Sequence, residues 1–244
     1  MVIGRKQVAT FVAEFLGVGL LTLTFLSVQR STIGIPYFIA IAAGAAVAVT
    51  AYFFGDASGA HMNPAITLAL WTARKVGTVT AALYLVFQTL GAWTAYGVYH
   101  YFVGSTLQSI GGHYSARVLI AEAVGTFVFA LAWGVATLRK LDSTNRAFLL
   151  GGSYALAIII AAAAGVGVAN PAVALGVRAW AFAGSMGWGT YVLGPVLGAI
   201  IGFNLYMLLF TDMKSGSAKT VAAEASTTTS SRGKSSTAKK KARR

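Results

Sequence analysis

The sequence predicts an all-α membrane protein with six transmembrane helices and two half-helices in an inverted repeat. Three observations predict this fold. Of the 244 residues, 57% are hydrophobic and 10% are charged, whereas about a quarter are charged in a soluble domain. Six apolar stretches are long enough to cross a bilayer core of roughly 30 Å. The tripeptide Asn-Pro-Ala occurs twice, 107 residues apart, each time opening an apolar run.

The six predicted spans follow from hydropathy along the chain. The first is retained as a span because it is too long for a signal-peptide core and lacks a convincing cleavage site. The spans are placed near 8–28, 36–55, 80–102, 118–138, 147–165 and 189–210.

The two tripeptides, Asn63-Pro64-Ala65 and Asn170-Pro171-Ala172, have the residue types that start helices. Asn caps the free N–H groups, and Pro fits the first turn without losing a hydrogen bond. We expect half-helices over about 64–73 and 171–181, each roughly 15 Å long and thus half the thickness of the hydrocarbon core. A helix that begins inside a membrane needs protein or a water-filled path around its start. Two such starts favour a pore.

The chain also repeats itself at a constant offset. Ala13-Glu14 matches Ala121-Glu122 at an offset of 108, and Gly91-Ala92 matches Gly198-Ala199 at an offset of 107. Each copy, about 8–102 and 118–210, holds three spans, so the second must enter the membrane from the opposite face. This predicts a pseudo-two-fold axis in the membrane plane. We expect a channel domain over 1–211.

Basic residues in the loops indicate the orientation. Seven loop Lys/Arg fall on one side of the predicted spans and three on the other, which places both termini in the cytoplasm of a cell, inner-type membrane. The seven are Arg5, Lys6, Arg74, Lys75, Arg139, Lys140 and Arg146, and the three are Arg30, Arg117 and Arg178.

These motifs resemble the aquaporin, or major intrinsic protein, family. The segments that carry the resemblance are 59–67 around the first box, 88–92 and 194–199 in the third and sixth spans, and the two Glu-x-x-Gly elements. The resemblance implies a right-handed six-helix bundle, one pore per subunit and a homotetramer. It also implies that Glu14 and Glu122 brace the loops that carry the boxes. A proton-relay carboxylate in a transporter is the alternative for these two groups.

The expected mechanism rests on the paired boxes. Asn63 and Asn170 are predicted to cap their half-helices with the side-chain oxygen and to point amide N–H groups into the pore, where a passing water accepts hydrogen bonds from both. The half-helix dipoles are expected to repel cations. His61, two residues before Asn63, is interpreted as bracing the loop through a hydrogen bond. Gating by its protonation is the alternative.

One departure from the family bears on selectivity. Family members usually carry Arg three residues after the second Asn, but this chain has Val173. Together with Ala43, Ile158 and Gly167, placed by the same resemblance, Val173 predicts a wide, apolar, uncharged outer filter. We therefore expect a passive channel for water and small uncharged solutes such as glycerol, urea or ammonia, with a water-selective channel as the alternative.

Other function classes have weaker support. The chain has no cysteine, which excludes thiol catalysis and thiolate metal sites. No His, Asp and Glu cluster has metal-ligand spacing and no catalytic set can be argued, so we expect no enzyme, metal or cofactor. A secondary transporter also uses inverted repeats and broken helices, and a non-conducting membrane scaffold remains a further alternative.

The last 33 residues, 212–244, have a different composition from the rest. They hold nine Lys/Arg against two acidic residues and are rich in Ser, Thr and Ala. Nothing in this segment can bury a core, so we expect a disordered cytoplasmic tail. Contact with anionic lipid headgroups is one possible role, and nucleic acid is disfavoured because there are no interleaved aromatic residues to stack on bases.

Overall fold

The protein is described by a computed structural model, which covers residues 4–30, 36–106, 113–182 and 187–211. The basic tail, 212–244, lies outside the described residues. Within these ranges the regular structure is helical: α1 (Arg5–Arg30), α2 (Pro36–Ser58), α3 (Pro64–Thr72), α4 (Thr78–Val103), α5 (Ala116–Arg139), α6 (Ser143–Ala161), α7 (Pro171–Gly176), a π-helical turn (Gly189–Leu193) and α8 (Gly194–Phe210).

The six predicted spans correspond to α1, α2, α4, α5, α6 and the π-helical turn with α8. Five of these six are both long and apolar enough to cross a membrane. The exception is α4, which has sufficient length, 26 residues, but contains four threonines, four tyrosines, a glutamine and a histidine. These polar groups lower its hydropathy.

Large apolar side chains cover much of the outside of the bundle. Tyr37, Phe53, Val79 and Phe148 are each more than 60% exposed. Monomeric soluble proteins rarely expose apolar surface on this scale, so the exterior matches a lipid environment.

Glycines allow the helices of the bundle to approach closely. A Cβ on Gly91 in α4 would meet the carbonyl oxygen of Phe15 in α1, and a Cβ on Gly198 in α8 would meet that of Ala123 in α5. Helices in lipid associate through small residues of this kind. The α1–α4 and α5–α8 contacts are therefore equivalent contacts in the two repeats.

The contact between α2 and α6 relates the two repeats directly. A Cβ on Gly44 would lie 2.6 Å from the carbonyl oxygen of Gly151, and a Cβ on Gly151 would lie 2.5 Å from that of Gly44. The two glycines are 107 residues apart, the offset of the repeat, so each contacts its own counterpart. This reciprocal contact is what a two-fold axis between the repeats produces.

Side-chain contacts define one end of the bundle, which we call the α1-start face. The hydroxyl of Thr10, near the start of α1, donates to Ala57 O at the end of α2. Tyr84, near the start of α4, donates to Ser58 O. Arg146, in the first turn of α6, donates to Gly59 O. Helices α1, α4 and α6 thus begin at this face, where α2 ends.

Both half-helices exist, but α7 is shorter than the sequence predicts. It ends at Gly176 instead of continuing to 181. Arg178 takes the left-handed conformation (φ 59°), and the N–H groups of Arg178 and Ala179 bond back to Leu175 O and Ala174 O. Helix α3 ends in the same way, with Arg74 at φ 56°. Glycine usually occupies this position. Because the residue here is arginine, the sequence does not indicate that the helix ends.

The chain divides into two compact units, Met1–Leu205 and Tyr206–Arg244. The first contains the repeats up to the last part of α8. In the second, residues 206–210 form the end of α8, and the Tyr206 and Phe210 rings lie 4.7 Å apart.

Candidate functional site: two reciprocally bonded Asn-Pro-Ala boxes

Each Asn-Pro-Ala box starts a half-helix as an N-cap. Asn63 has an extended backbone, and its Oδ1 accepts a hydrogen bond from Ala65 N at 2.9 Å. Asn170 has nearly the same backbone angles, and its Oδ1 accepts from Ala172 N at 3.1 Å and Val173 N at 3.3 Å. Pro64 and Pro171 occupy the first helical position. The side-chain oxygens are therefore committed to capping.

The two boxes are joined by a reciprocal pair of hydrogen bonds. Asn63 Nδ2 donates to Ala169 O, and Asn170 Nδ2 donates to Met62 O, both at 2.8 Å. Both asparagines are only 1% exposed. An amide nitrogen carries two hydrogens, so each asparagine has a second one, and Asn170 also makes a side-chain hydrogen bond with Tyr154. The expectation that the amide groups point wholly into a pore is therefore corrected, since half of their donor capacity binds the opposite box.

The accepting carbonyls sit in unusual backbone. Met62 and Ala169 have φ of 48° and 51°, in the left-handed region. Residues other than glycine adopt it at a cost of about 1 kcal/mol or more, which the surrounding structure must offset. Here the offset comes from buried carboxylates that bind the N–H groups of these same two residues.

In the first repeat that carboxylate is Glu14, in α1. Its Oε1 accepts from Ser58 Oγ at 2.6 Å and His61 N at 2.9 Å, and its Oε2 accepts from Met62 N at 2.6 Å and Gln88 Nε2 at 2.7 Å. The side chain is fully buried. Four donors from three segments thus fix the loop before Asn63 to the helices around it.

Glu122, in α5, occupies the equivalent position in the second repeat. It accepts from Val168 N at 2.8 Å and Ala169 N at 2.6 Å. Tyr154, in α6, donates to Val168 O at 2.7 Å and holds the same loop from the other side. Pro195 stands where the first repeat has Gln88, and proline has no side-chain donor to offer.

These bonds form one connected network through both repeats. Glu14 binds the Met62 N–H, and the Met62 carbonyl accepts from Asn170. Glu122 binds the Ala169 N–H, and the Ala169 carbonyl accepts from Asn63. Each half-helix start is therefore positioned by its own carboxylate and by the opposite asparagine.

His61 is enclosed by aromatic rings and hydrogen-bonding side chains. Its Nδ1 lies 3.2 Å from Thr67 Oγ1, which also accepts from Gln88 Nε2 at 3.0 Å. Its ring meets those of Tyr84 and Trp133 edge-on, with centroids 4.9 Å and 5.5 Å away. The histidine is 7% exposed. This environment holds the loop of the first box in place.

The four positions assigned to the outer filter are enclosed as well. Ala43, Ile158 and Val173 have no measurable exposure. Gly167 has φ 66°, and a Cβ there would lie 2.5 Å from Ile158 O, so these two positions are neighbours. Small side chains at these positions have therefore not produced a wide aperture in this structure. Their role as a filter stays a prediction.

The side chain of Arg178 lies over the ring of Tyr96. Its guanidinium carbon is 5.9 Å from the centroid of the Tyr96 ring in α4, and the residue is exposed. It follows the end of α7 instead of continuing that helix, so its direction cannot be obtained from helical periodicity.

A small cavity adjoins both asparagines on the α1-start side. Its volume is about 10 Å³, roughly the minimum that holds one water. Its wall includes Asn63 and Asn170 together with His61, Trp133 and Tyr154. The arrangement can hold one small polar molecule against two amide hydrogens.

Sequence reasoning missed two residues beside this cavity. Trp133 is not among the residues that the sequence singles out, yet it is only 2% exposed and lines the cavity. Arg146 was counted as a loop charge, yet its guanidinium carbon lies 5.0 Å from the Trp133 ring centroid. A signal was available, because Trp133 follows Glu122 by eleven residues, about three turns, and so shares its face of α5. Trp133 and Arg146 are thirteen residues apart and lie on different helices, α5 and α6. Helical periodicity therefore does not predict that they meet.

Comparison with known proteins agrees with this geometry. The model of the family described as "Major intrinsic protein" matches residues 3–206. The chain is 28% identical to Aquaporin AqpM of Methanothermobacter thermautotrophicus over 234 residues, 84% of this chain and 95% of that protein. It is 31% identical to the glycerol uptake facilitator protein-like 6 of Lactiplantibacillus plantarum over 213 residues, 81% of this chain and 94% of that protein.

A solved structure shares the fold. The X-ray structure of the aquaglyceroporin from Plasmodium falciparum superposes with a TM-score of 0.70 at 21% identity, covering 84% of this chain and 98% of that one. At this identity the likeness concerns the fold. It confirms the predicted arrangement of six spans and two half-helices.

Proposed function

We propose that this chain, which belongs to the major intrinsic protein family, is a passive channel for water and small uncharged solutes. The observation that carries the proposal is the reciprocal bonding of Asn63 and Asn170 beside a cavity the size of one water. The names of its relatives, an aquaporin and a glycerol uptake facilitator, fit the same activity.

The amide hydrogens explain how such a channel conducts water without conducting protons. The remaining hydrogen on each asparagine can donate to the oxygen of one water in the cavity. A water bound through its oxygen by two donors must turn its own hydrogens away, which interrupts a chain of water-to-water hydrogen bonds. Cations are opposed because these donors present positive charge to them.

Helix dipoles add to this exclusion, as in aquaporin-type pores generally. The nine residues of α3 direct a positive N-terminal end toward the asparagines. Helix α7 has six residues, so its own contribution is smaller. The exclusion of protons and other cations therefore depends mainly on the asparagine amides and on α3.

The range of solutes has two candidates. Small apolar residues at Ala43, Gly167 and Val173 favour passage of glycerol, urea or ammonia. The cavity beside the asparagines, about 10 Å³, favours a water-selective channel. We propose that glycerol, urea and ammonia pass as well as water, since the side chains at the outer positions carry no charged group.

Proteoliposomes test the function directly. Water permeability well above that of protein-free vesicles, with non-saturating glycerol and urea flux, is the expected result. Saturable uptake that depends on an ion gradient would contradict a channel and support a transporter. If water passes quickly and glycerol is refused, the broader range is wrong and the water-selective candidate holds.

Val173→Arg tests the outer positions separately. Arginine at the enclosed Val173 position adds a long, charged side chain where the structure has an isopropyl group. We expect it to reduce glycerol and urea flux more than water flux. Equal reduction of all three would argue that position 173 does not discriminate among solutes.

The setting of the channel is also part of the proposal. We place it in the cell membrane with both termini in the cytoplasm, supported by the seven basic residues assigned to that side. We propose a homotetramer, supported by the apolar groove on α2 and α6 flanked by exposed Ile41 and Phe148. The basic tail is proposed to contact anionic lipid. Mass spectrometry in detergent and protease accessibility in vesicles test assembly and orientation.

A further inference from the structure

Trp133 has a buried donor without a partner. The side chain is 2% exposed and lines the cavity beside Asn63 and Asn170. Its indole Nε1–H has no hydrogen-bond partner among the described residues. Tyr154, which lines the same cavity, is different because its hydroxyl donates to Val168 O. Buried N–H groups are normally paired since leaving one unpaired is costly.

The chemistry of the indole group limits what can pair with it. An indole nitrogen only donates, so its partner must offer an acceptor. A partner in the cavity that Trp133 lines has to be a small molecule, because the volume of about 10 Å³ holds no more than one water. Water, a hydroxyl group and a carbonyl oxygen all qualify, whereas a cation does not.

Two neighbours fix the position of the ring. His61 meets it edge-on at 84°, with ring centroids 5.5 Å apart. The Arg146 guanidinium stacks over its face at 5.0 Å and is itself tied to Gly59 O. A guanidinium over an indole face is attractive, more so when both are shielded from water. Trp133 therefore has little freedom to swing aside.

Arg146 also brings a positive charge to this side of the asparagine pair. The position three residues after Asn170, where the family usually has arginine, is Val173 here and carries none. The charge beside the passage thus lies near its α1-start end, on a residue that also supports Trp133.

Resting on the channel function proposed above, we propose that Trp133 is a specificity-determining residue. Its ring limits the size of what passes between the α1-start face and the asparagine pair, and its N–H binds the acceptor oxygen of a small neutral molecule in transit. Arg146 and His61 are positioning residues for this ring, and the charge of Arg146 opposes cations.

The test compares two substitutions of Trp133 in proteoliposomes made from the full chain. Trp133→Phe keeps a ring but removes the N–H, so water permeability should fall several-fold while the glycerol-to-water ratio does not rise. Trp133→Leu shortens the barrier, so the glycerol-to-water and urea-to-water ratios should rise by roughly fivefold, the factor that about 1 kcal/mol represents. Trp93→Phe is the matched control, since Trp93 lies in α4, is 58% exposed and does not line this cavity. It should leave both quantities unchanged.

Arg146→Gln tests the charge. Glutamine carries no charge, and its amide ends two atoms short of the guanidinium nitrogen that donates to Gly59 O. Proton leak should therefore increase, and because the Trp133 ring also loses its stacking partner, the glycerol-to-water ratio should rise by less than in Trp133→Leu. An unchanged leak would overturn the electrostatic role of Arg146.

The outcomes distinguish the two proposals. If the wild type conducts water but Trp133→Leu keeps the wild-type ratios, the size limit lies elsewhere and the role of Trp133 is wrong, while the channel function stands. If the wild type conducts no water above protein-free vesicles, both are wrong. Elution volume and melting temperature verify folding, and should Trp133→Leu misfold, Trp133→Phe alone decides, because unchanged water permeability in that variant contradicts the role of the N–H.

Discussion

At the scale of single residues, most hydrogen-bonding groups of the two asparagine side chains hold the Asn-Pro-Ala boxes in place. Asn63 and Asn170 each commit one oxygen to a helix cap and one amide hydrogen to the opposite box. Each residue has a second amide hydrogen, and Asn170 also makes a side-chain hydrogen bond with Tyr154. We therefore expect charge and donor identity at these positions to affect assembly and selectivity together.

Asn63→Asp is expected to impair both the assembly of the two boxes and the selectivity of the channel. Aspartate can still cap α3, but it cannot donate to Ala169 O, and it places a negative charge beside the passage. We expect lower water permeability and a higher proton leak, measured with a pH-sensitive dye inside proteoliposomes. Asn204→Asp is the control, because Asn204 also donates two hydrogen bonds, to Thr72 and Ile200 O, but lies outside the cavity wall. A leak of equal size in both variants would contradict this account.

The two buried glutamates should differ in their contribution to stability. Replacing either by glutamine substitutes an NH₂ group for one accepting oxygen, and an unpaired buried donor costs about 1–3 kcal/mol. Glu14 binds four donors, and Glu122 binds Val168 N and Ala169 N. Glu14→Gln should therefore lower the melting temperature in detergent more than Glu122→Gln does. The reverse order would show that the number of donors a glutamate binds does not determine how much it contributes to stability.

Part of this residue-level arrangement follows from sequence and part does not. The boxes and carboxylates stand out because polar groups within apolar spans must find partners, which limits where they can lie. The reciprocal bonds between Asn63 and Ala169, and between Asn170 and Met62, were not predicted, since they depend on how two distant loops meet. Trp133 was missed although it follows Glu122 by about three turns on the same face of α5, because a carboxylate attracts attention within an apolar span and a tryptophan does not.

At the scale of elements, helix approach and helix ends determine the geometry of the site. Helices α1 and α4 are in contact where Gly91 faces the backbone of Phe15. Both half-helices end through a left-handed arginine, Arg74 or Arg178. The first feature could be predicted from the repeated Gly-Ala pairs, whereas the second could not, because arginine is not the residue expected at that position.

Two glycines of α4 provide a matched pair for testing helix approach. Gly91→Ala places a methyl group against the Phe15 carbonyl, so α1 and α4 must separate, and overpacking typically costs about 1–3 kcal/mol. Gly97 has open space at its Cβ position, so Gly97→Ala should gain up to about 1 kcal/mol from helix propensity. Melting temperatures should therefore move in opposite directions. A similar decrease for both variants would argue against close approach at Gly91.

The start of α6 should show a pH dependence. Asp142 accepts from Asn145 N at 3.0 Å and Thr144 N at 3.1 Å and also from the Asn145 side chain. Hydrogen bonds from Asn145 lower the pKa of Asp142 below its ordinary value of 3.8. A lowered folded-state pKa contributes stability above the unfolded value, and this contribution is lost as pH falls through the folded value.

Asp142→Ala should therefore lower the melting temperature at pH 7. The difference from the wild type should shrink as the pH decreases below about 3.8, which thermal melts over an acidic pH series would measure. A difference that is constant across that series would show that the carboxylate charge plays no part in capping α6.

At the scale of the whole molecule, charge is concentrated in the tail, outside the described residues. Residues 212–244 carry a net charge of +7, and the rest of the chain carries +6. We expect the tail to act on membrane association and not on conduction. Its composition indicates this, while its arrangement is beyond what sequence periodicity can predict.

Removal of residues 212–244 tests that separation. Water permeability in neutral-lipid vesicles should be unchanged, since the boxes and their carboxylates all lie before residue 206. A synthetic peptide of 212–244 should bind vesicles containing anionic lipid and release them at high salt, because screening weakens surface electrostatics. Loss of permeability on truncation would place the tail in the conduction mechanism.

The reciprocal asparagine bonds have a consequence for how the chain assembles. Glu14 finds its four described donors within the first three spans and the loop that joins the second and third, so that carboxylate can be fully hydrogen-bonded as soon as this part of the chain is in the membrane. The Asn63 amide and the Met62 carbonyl cannot, because their partners are some hundred residues further along the chain. We expect these two groups to bind water until the second copy is synthesised, so that docking of the two halves is the step that expels water from the centre of the protein.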